Sequence, residues 1–225
     1  MTDAVSSAPT QVRVPGFLPS QCGLHFSNYY PHEPEIEIKL PLGGKLGLGD
    51  AANGLCGGMV YVVCDFFEHG QPIPSMTEPP PGGTPLYKFI VHRLLQSFNL
   101  PFGLHRYMEL MTPLFPDRVR ERAMIDHEWP AIRKQLDDGH VVPLGLIKVK
   151  SLRPRDLAKQ HQILTYGYDH GADQVGLCIY DPNYPDRDDL QLHLNLISGE
   201  LTYSAGEVVY CFFQTHYDPQ EPPHF

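Results

Sequence analysis

No stretch of the 225-residue chain stays apolar for the roughly 20 residues that a bilayer span needs, so the sequence predicts no membrane partner. No segment is rich in lysine and arginine, and 17 basic residues stand against 26 acidic ones, a formal net charge of −9. Nucleic-acid binding draws on a basic surface, so this balance argues against a nucleic-acid partner. The first ten residues, MTDAVSSAPT, have neither a basic region nor an apolar core. They carry no secretory signal, which predicts a cytoplasmic protein. The five cysteines (Cys22, Cys56, Cys64, Cys178, Cys211) are odd in number, widely spaced and without a CxxC pair. They read as reduced thiols rather than a disulfide framework. None of the twelve histidines forms HxxxH or HxH, so no zinc site is indicated and no cofactor is expected.

Proline and glycine are plentiful, 23 and 20 residues, which predicts long ordered loops. With 42% hydrophobic residues the chain can bury one sizeable core. No repeat and no linker divides it. A single domain over 1–225 is expected, with 1–10 a disordered arm and 216–225 a loose tail.

EIEIKL (35–40) alternates like a half-exposed strand. PLGGKLGLGDAANG (41–54) reads as a glycine-rich loop. Within it Gly47, Gly49 and Ala52 match the dinucleotide pattern GxGxxA. That pattern needs a strand running straight into it in a βαβ unit; Pro41, Gly43 and Gly44 interrupt, and a flexible approach to the next helix is the better reading. In NGLCGGMVYVVCDFF, Asn53 to Phe67, the residues Cys56, Met59, Val60, Val63, Cys64 and Phe67 fall on one helical stripe. Val62 and Phe66 lie off it and are also apolar, so the helix is buried on most sides, with Gly70 as its stop.

Residues 71–83, QPIPSMTEPPPGG, form a proline-rich loop. A second helix follows, PLYKFIVHRLLQSF, with Thr84 as N-cap and Pro85 at the first position. Further helices are predicted between Pro116 and Met124 and over WPAIRKQLDDG, where Trp129, Ile132 and Leu136 pack and Gly139 ends the run. From Val141 the pattern changes to five strands: VVPLGLIKV, HQILTYGY, VGLCIYD, LQLHLNL and GEVVYCFFQTHY. The fold class is therefore α+β, a helical front half packed against a C-terminal antiparallel sheet.

Cys56 stands among Gly54, Gly57 and Gly58 at a helix start. Free backbone N–H groups and the positive end of the helix dipole favour a thiolate there and can hold an oxyanion. The plain alternative is a buried structural cysteine. His161 is the candidate base. HQILTYGY and QVGLCIY look like the arms of a hairpin, and a turn centred on Gly171 sets His161 opposite Asp181. An aspartate there holds one ring nitrogen and leaves the other for a thiol. The plain alternatives are a capping histidine and a turn aspartate before proline. DPNYPDRDD (181–189) offers several oxygens for calcium but lacks the glycine and terminal glutamate of a calcium loop, and reads as an acidic turn.

These residues resemble a family. A Cys-Gly at the start of a buried helix, HQILTYGYD and IYDPNYP look like papain-like cysteine peptidases, nearest to the peptidase domains of bacteriocin-processing transporters and more distantly to phytochelatin synthases. The likeness covers about residues 45–185. It implies a papain-like fold with a central helix carrying Cys56, the nucleophile Cys56, the base His161, the orienter Asp181, and a peptide, amide or thioester substrate. The family usually has a glutamine six residues before the nucleophile as oxyanion donor; here that position is Asp50, and a carboxylate does not donate unless protonated. Oxyanion-hole candidates are thus Asn53, the amide of Cys56, and Asp50. Gly57, Gly58, Gln160 and Asn183 are candidates for the substrate cleft. The expected activity is hydrolysis or acyl transfer at an amide or thioester carbonyl. The alternatives are an inactive papain-like binding module, with Asp50 marking the loss, and an assembly partner without a cleft.

Overall fold

The computed structural model describes residues 10–30, 36–39, 45–48 and 54–223. The expected N-terminal arm lies outside them except for Thr10, which opens strand β1 (Thr10–Arg13). A short helix α1 (Pro19–Cys22) follows. Strands β2 (Ile36–Lys39) and β3 (Lys45–Leu48) then pair antiparallel, Ile36 opposite Leu48 and Lys39 opposite Lys45. This corrects the glycine-rich loop, since cross-strand pairing outweighs the poor strand propensity of Gly47. A strand does run into the GxGxxA segment, but it belongs to a two-stranded antiparallel hairpin, not to a βαβ unit.

Helix α2 (Cys56–Glu68) is the central helix that the apolar stripe predicts, and every residue from Gly57 to Phe66 is buried. Gly70 follows it at φ 61°, a backbone state that glycine enters without strain. Helix α3 (Pro85–Ser97) starts as expected, with Thr84 Oγ1 accepting the N–H of Tyr87 at 3.4 Å. The two helices lie so close that a Cβ on Gly58 would stand 2.0 Å from the carbonyl oxygen of Ile90. Gly58→Ala should therefore cost about 1–3 kcal/mol by overpacking, read as a fall in thermal midpoint. An unchanged midpoint would contradict so close an approach.

Helix α4 (Phe102–Met111), which the sequence reading did not separate, precedes α5 (Asp117–Ala123), a π-helical turn over Met124–Glu128, and α6 (Trp129–Asp137). The buried residues of α6 are Trp129, Ile132 and Leu136, and Gly139 ends the run at φ 87°. The chain then enters the sheet through β4 (Val142–Ile147), a 3-10 turn (Pro154–Lys159), β5 (His161–His170), β6 (Gln174–Tyr180), β7 (Gln191–Asn195), β8 (Leu201–Tyr203) and β9 (Cys211–Gln214). The strand order is β8-β7-β6-β5-β4-β9, all antiparallel, with β1 also on β5. The result is an α+β structure around a curled half-barrel sheet. Its seven strands exceed the five expected because β1 and β8 join it, and GEVVYCFFQTHY is strand only over Cys211–Gln214.

Two expectations are corrected. The β5–β6 hairpin does not set His161 opposite Asp181. Leu164 faces Tyr180 and His170 faces Val175, with a bulge between Thr165 and Gly167. Asp181 follows the last residue of β6 and leaves the ladder at Pro182. The tail is not loose either. Tyr217 Oη donates to Asp65 Oδ1 at 2.8 Å, and the N–H of Gln220 donates to the same oxygen at 3.0 Å. Arg93 Nη2 donates to the carbonyl oxygen of Asp218 at 2.9 Å. A buried ion pair of Asp65 and Arg93 thus holds the C-terminal segment against α2 and α3. Among the described residues no helix is long and apolar enough to cross a membrane.

Candidate active site

The first residue of α2 and the first residue of β5 are brought together, because α2 packs across β5. Cys56 is partly exposed, whereas Cys64, Cys178 and Cys211 are buried. Burial pushes the thiols of Cys64, Cys178 and Cys211 up, that of Cys211 to about 12. Cys56 is the cysteine that shares a cavity with His161.

His161 is 5% exposed. Its Nε2 lies 2.7 Å from Asp181 Oδ1, and the Cys56 thiol shares its cavity. With Nε2 engaged by the carboxylate, Nδ1 is the nitrogen left for sulfur. Asp181 is fixed in turn: Oδ1 accepts the N–H of Asn183 at 2.8 Å, and Oδ2 accepts the hydroxyl of Tyr203 at 2.6 Å. Both carboxylate oxygens are therefore satisfied although the side chain is only 1% exposed.

The electrostatics follow from this geometry. Burial alone would lower the pKa of His161, but the charges of Asp181 and Cys56 and the hydrogen bond to Asp181 outweigh burial and raise it to about 10. Burial would raise the pKa of Asp181; the charge and hydrogen bond of His161, the Tyr203 hydroxyl and the Asn183 N–H overcome it and hold the carboxyl below its usual range. Burial and the neighbouring carboxylate of Asp181 push the Tyr203 phenol far up, so it remains a donor.

A raised histidine stabilises the fold fully below its unfolded pKa of about 6.5, and that stability is lost as pH climbs through the folded value. The thermal midpoint should thus fall between about pH 7 and about pH 10. The slope over that window should be shallower in His161→Gln, and equal slopes would contradict the ion pair. The depressed Asp181 adds stability that is present above its unfolded pKa of about 3.9 and lost as pH falls through its lower folded value.

The cavity, about 110 Å³, is walled by Cys56, His161, Asn28, Gln160, Asn183 and Lys148. A narrower cleft of about 20 Å³ meets Cys56 and His161 between Leu94, Phe98 and Tyr107. Of the cleft candidates, Asn183 and Gln160 stand in these walls. Gln160 has no free amide to offer: Oε1 accepts the N–H groups of Lys148 and Val149 at 2.8 and 3.2 Å, and Nε2 donates to the carbonyls of Val149 and Asp156 at 2.8 and 3.2 Å. It pins the segment after β4 beside His161. Gly57 and Gly58 are not among the residues lining either cavity. Both sit in close packing: a Cβ on Gly57 would stand 2.4 Å from Ser97 Oγ and 2.7 Å from Nε2 of Gln162, a residue of the narrower cleft. Asp50 and Asn53 lie outside the described residues, so of the three oxyanion candidates only Cys56 is placed.

Two participants were not foreseen. Tyr203 sits in LTYSAG, where nothing in the sequence marks it. Asn28 lies in a mixed aromatic segment, and its Oδ1 accepts the N–H of Leu55, the residue before Cys56, at 2.6 Å. The other acids of DPNYPDRDD have partners of their own. Asp186 meets His25 Nδ1 at 2.6 Å, Asp188 accepts the N–H and hydroxyl of Ser20 at 2.8 and 2.7 Å, and Asp189 pairs with Arg187. Among the described residues no group of three or more His, Cys, Asp or Glu side chains is placed to hold a metal ion. Comparison with protein-family models, with curated proteins and with solved structures returns no match to this chain.

Proposed function

We propose that the chain is a papain-like cysteine-nucleophile enzyme that transfers an acyl group from an amide or thioester to water or an amine. The observation that carries this reading is the position of His161, bonded through Nε2 to a buried carboxylate and lining one cavity with a partly exposed thiol. Base and orienter are hydrogen-bonded and the thiol lies in the same cavity as the base, an order that suits covalent catalysis by a thiol. A histidine raised to about 10 is protonated at neutral pH, a cation suited to stand beside a thiolate nucleophile, the attacking species in such chemistry.

The steps follow from that charge state. The Cys56 sulfur bonds to the carbonyl carbon and the carbonyl electron pair moves onto oxygen. When the carbonyl re-forms, the amine or thiol leaving group departs with the proton of His161, leaving a thioester on Cys56 and a neutral imidazole. That imidazole then takes a proton from water or an amine as it attacks the thioester, and the Cys56 thiolate is released. Asp181, Tyr203 and the N–H of Asn183 hold the ring throughout and do not exchange protons in this scheme.

The test is acylation. The protein incubated with p-nitrophenyl acetate and quenched in acid should carry an acetyl group on the peptide containing Cys56, and Cys56→Ala should lose it completely. Acetylation spread over surface lysines with no preference for Cys56 would sink the reading and favour a binding module.

A further inference from the structure

Asn28 ties together three parts of the site. Its backbone N–H donates to the carbonyl of Pro182 at 2.9 Å, on the loop that leaves Asp181. Its Oδ1 accepts from Leu55, next to the nucleophile, at 2.6 Å. Its Nδ2 donates to Asn183 Oδ1 at 3.2 Å. The amide is packed on Gly54, where a Cβ would stand 2.1 Å from Nδ2. These contacts leave little choice of orientation, because flipping the amide would set its NH₂ against the N–H of Leu55. Asn28 also lines the cavity that holds Cys56 and His161. An amide nitrogen carries two hydrogens, and Asn183 takes one.

We propose that Asn28 uses its second Nδ2 hydrogen to bind the oxyanion formed when Cys56 attacks a carbonyl, acting with the backbone N–H of Cys56. This deepens the acyl-transfer reading and rests on it. Cys56 opens α2, so its N–H is one of the helix's first four and has no acceptor within the helix. As the sulfur–carbon bond forms, negative charge gathers on the carbonyl oxygen between these two donors. Neither donor loses its proton, and both hydrogen bonds relax when the carbonyl returns. A fixed donor of this kind does its work without reorganising at the moment of reaction. Asn28 thereby supplies from upstream what the family takes from a glutamine at the place of Asp50, and the site's specialisation is for acyl substrates rather than for alkyl or redox chemistry at the thiol.

Two probes of the same sulfur separate the claim from its premise. Iodoacetamide reacts at a saturated carbon and makes no oxyanion; p-nitrophenyl acetate reacts at a carbonyl and does. The rate of Cys56 acetylation divided by the rate of its carbamidomethylation cancels changes in thiolate content. Asn28→Asp keeps an acceptor for Leu55 and removes the donor; Asn28→Ala removes both. Loss of one oxyanion donor costs about 10²–10³ in turnover where it has been measured in other enzymes, so the ratio should fall at least tenfold in both variants. An unchanged ratio overturns the proposal. Labelling of Cys64, Cys178 and Cys211 in the same digests reports whether a variant keeps its core. If both Asn28 variants expose those thiols, the ratio is read in Asn183→Ala, which frees the Asn28 amide from its partner; a fall supports the proposal and an unchanged ratio overturns it. Wild-type protein that alkylates at Cys56 but does not acetylate there fails the acyl-transfer reading itself, which is a different result.

Discussion

Asp181→Ala should lower turnover of an acyl substrate by a factor on the order of 10⁴, the loss seen when the orienting carboxylate of a related arrangement is altered in another enzyme. The cause is specific. Without the carboxylate, burial is the dominant influence on His161 and drives its pKa down, so the ring is neutral at pH 7. The thiolate then loses its counter-charge, and the ring loses the contact that fixes its tautomer. The Tyr203 hydroxyl and the Asn183 N–H lose their acceptor too. Removing one partner of a buried pair costs about 3–5 kcal/mol of stability, so the thermal midpoint should fall as well. Asp181→Asn separates the two effects. Its amide oxygen can still accept from His161 and Asn183, and its NH₂ can donate to Tyr203 Oη, so stability should be largely kept. The loss of charge should still bring the alkaline limit of activity down from about 10. Full activity in Asp181→Ala would remove Asp181 from the account.

Arg93→Met should be the most destabilising single change away from the site. Arg93 Nε lies 2.7 Å from Asp65 Oδ2, and Nη2 donates to Oδ1 at 3.0 Å, with both side chains essentially inaccessible to solvent. The guanidinium also lies against Tyr61 and Tyr217, 5.0 and 5.3 Å from their ring centres. Truncation leaves the Asp65 carboxylate buried without its cation, at a cost of about 3–5 kcal/mol, or a fall of roughly 2–4 °C in thermal midpoint for each kcal/mol in a chain of this size. Burial already pushes the Asp65 carboxyl up against the pull of Gln220, Arg93 and Tyr217. In the variant nothing cationic opposes burial, so its folded pKa rises further above the unfolded value. A raised carboxyl is best tolerated when protonated, so the deficit should shrink as pH falls from 7 toward 4. A deficit that does not depend on pH would mean that Arg93 acts by packing alone. The tail should loosen in the same variant, because Arg93 holds the carbonyl of Asp218.

What the sequence made legible was local. The apolar stripe and flanking glycines of NGLCGGMVYVVCDFF marked α2, and Thr84-Pro85 marked the start of α3. The turn residues between HQILTYGY and QVGLCIY marked the hairpin whose two ends carry His161 and Asp181. Its register was not legible. The bulge between Thr165 and Gly167 sits where the neighbour of β5 changes from β4 to β1. A Cβ on Gly167 would stand 2.5 Å from the carbonyl of Val12, so the distortion answers to a strand more than 150 residues away in sequence. Asp181 still reaches His161 because it has left the ladder.

Helix α4 carries Leu104, Tyr107, Met108 and Met111 at helical spacing, a pattern present in the sequence and overlooked. Asn28 and Tyr203 were beyond reach for another reason. Their parts in the site come entirely from contacts across the fold, Asn28 with Leu55 and Asn183 and Tyr203 with Asp181, and neither has neighbours in sequence that announce such a role. The tail misled for the same reason: YDPQEPP looks unstructured until Asp65 and Arg93 are buried beside it.

The most direct measurement is the rate of iodoacetamide labelling at each cysteine between pH 5 and pH 10, by peptide mass spectrometry, in wild type and His161→Ala. An ordinary thiol, with a pKa of about 8.5, is about 1% ionised near pH 6.5. The paired thiol predicts that Cys56 labels at pH 6.5 well ahead of Cys64, Cys178 and Cys211, whose burial holds them as thiols, and that His161→Ala slows Cys56 at that pH by about tenfold or more. Equal labelling of Cys56 in the two proteins across the whole range would contradict the thiolate–imidazolium pair, and the catalytic reading with it.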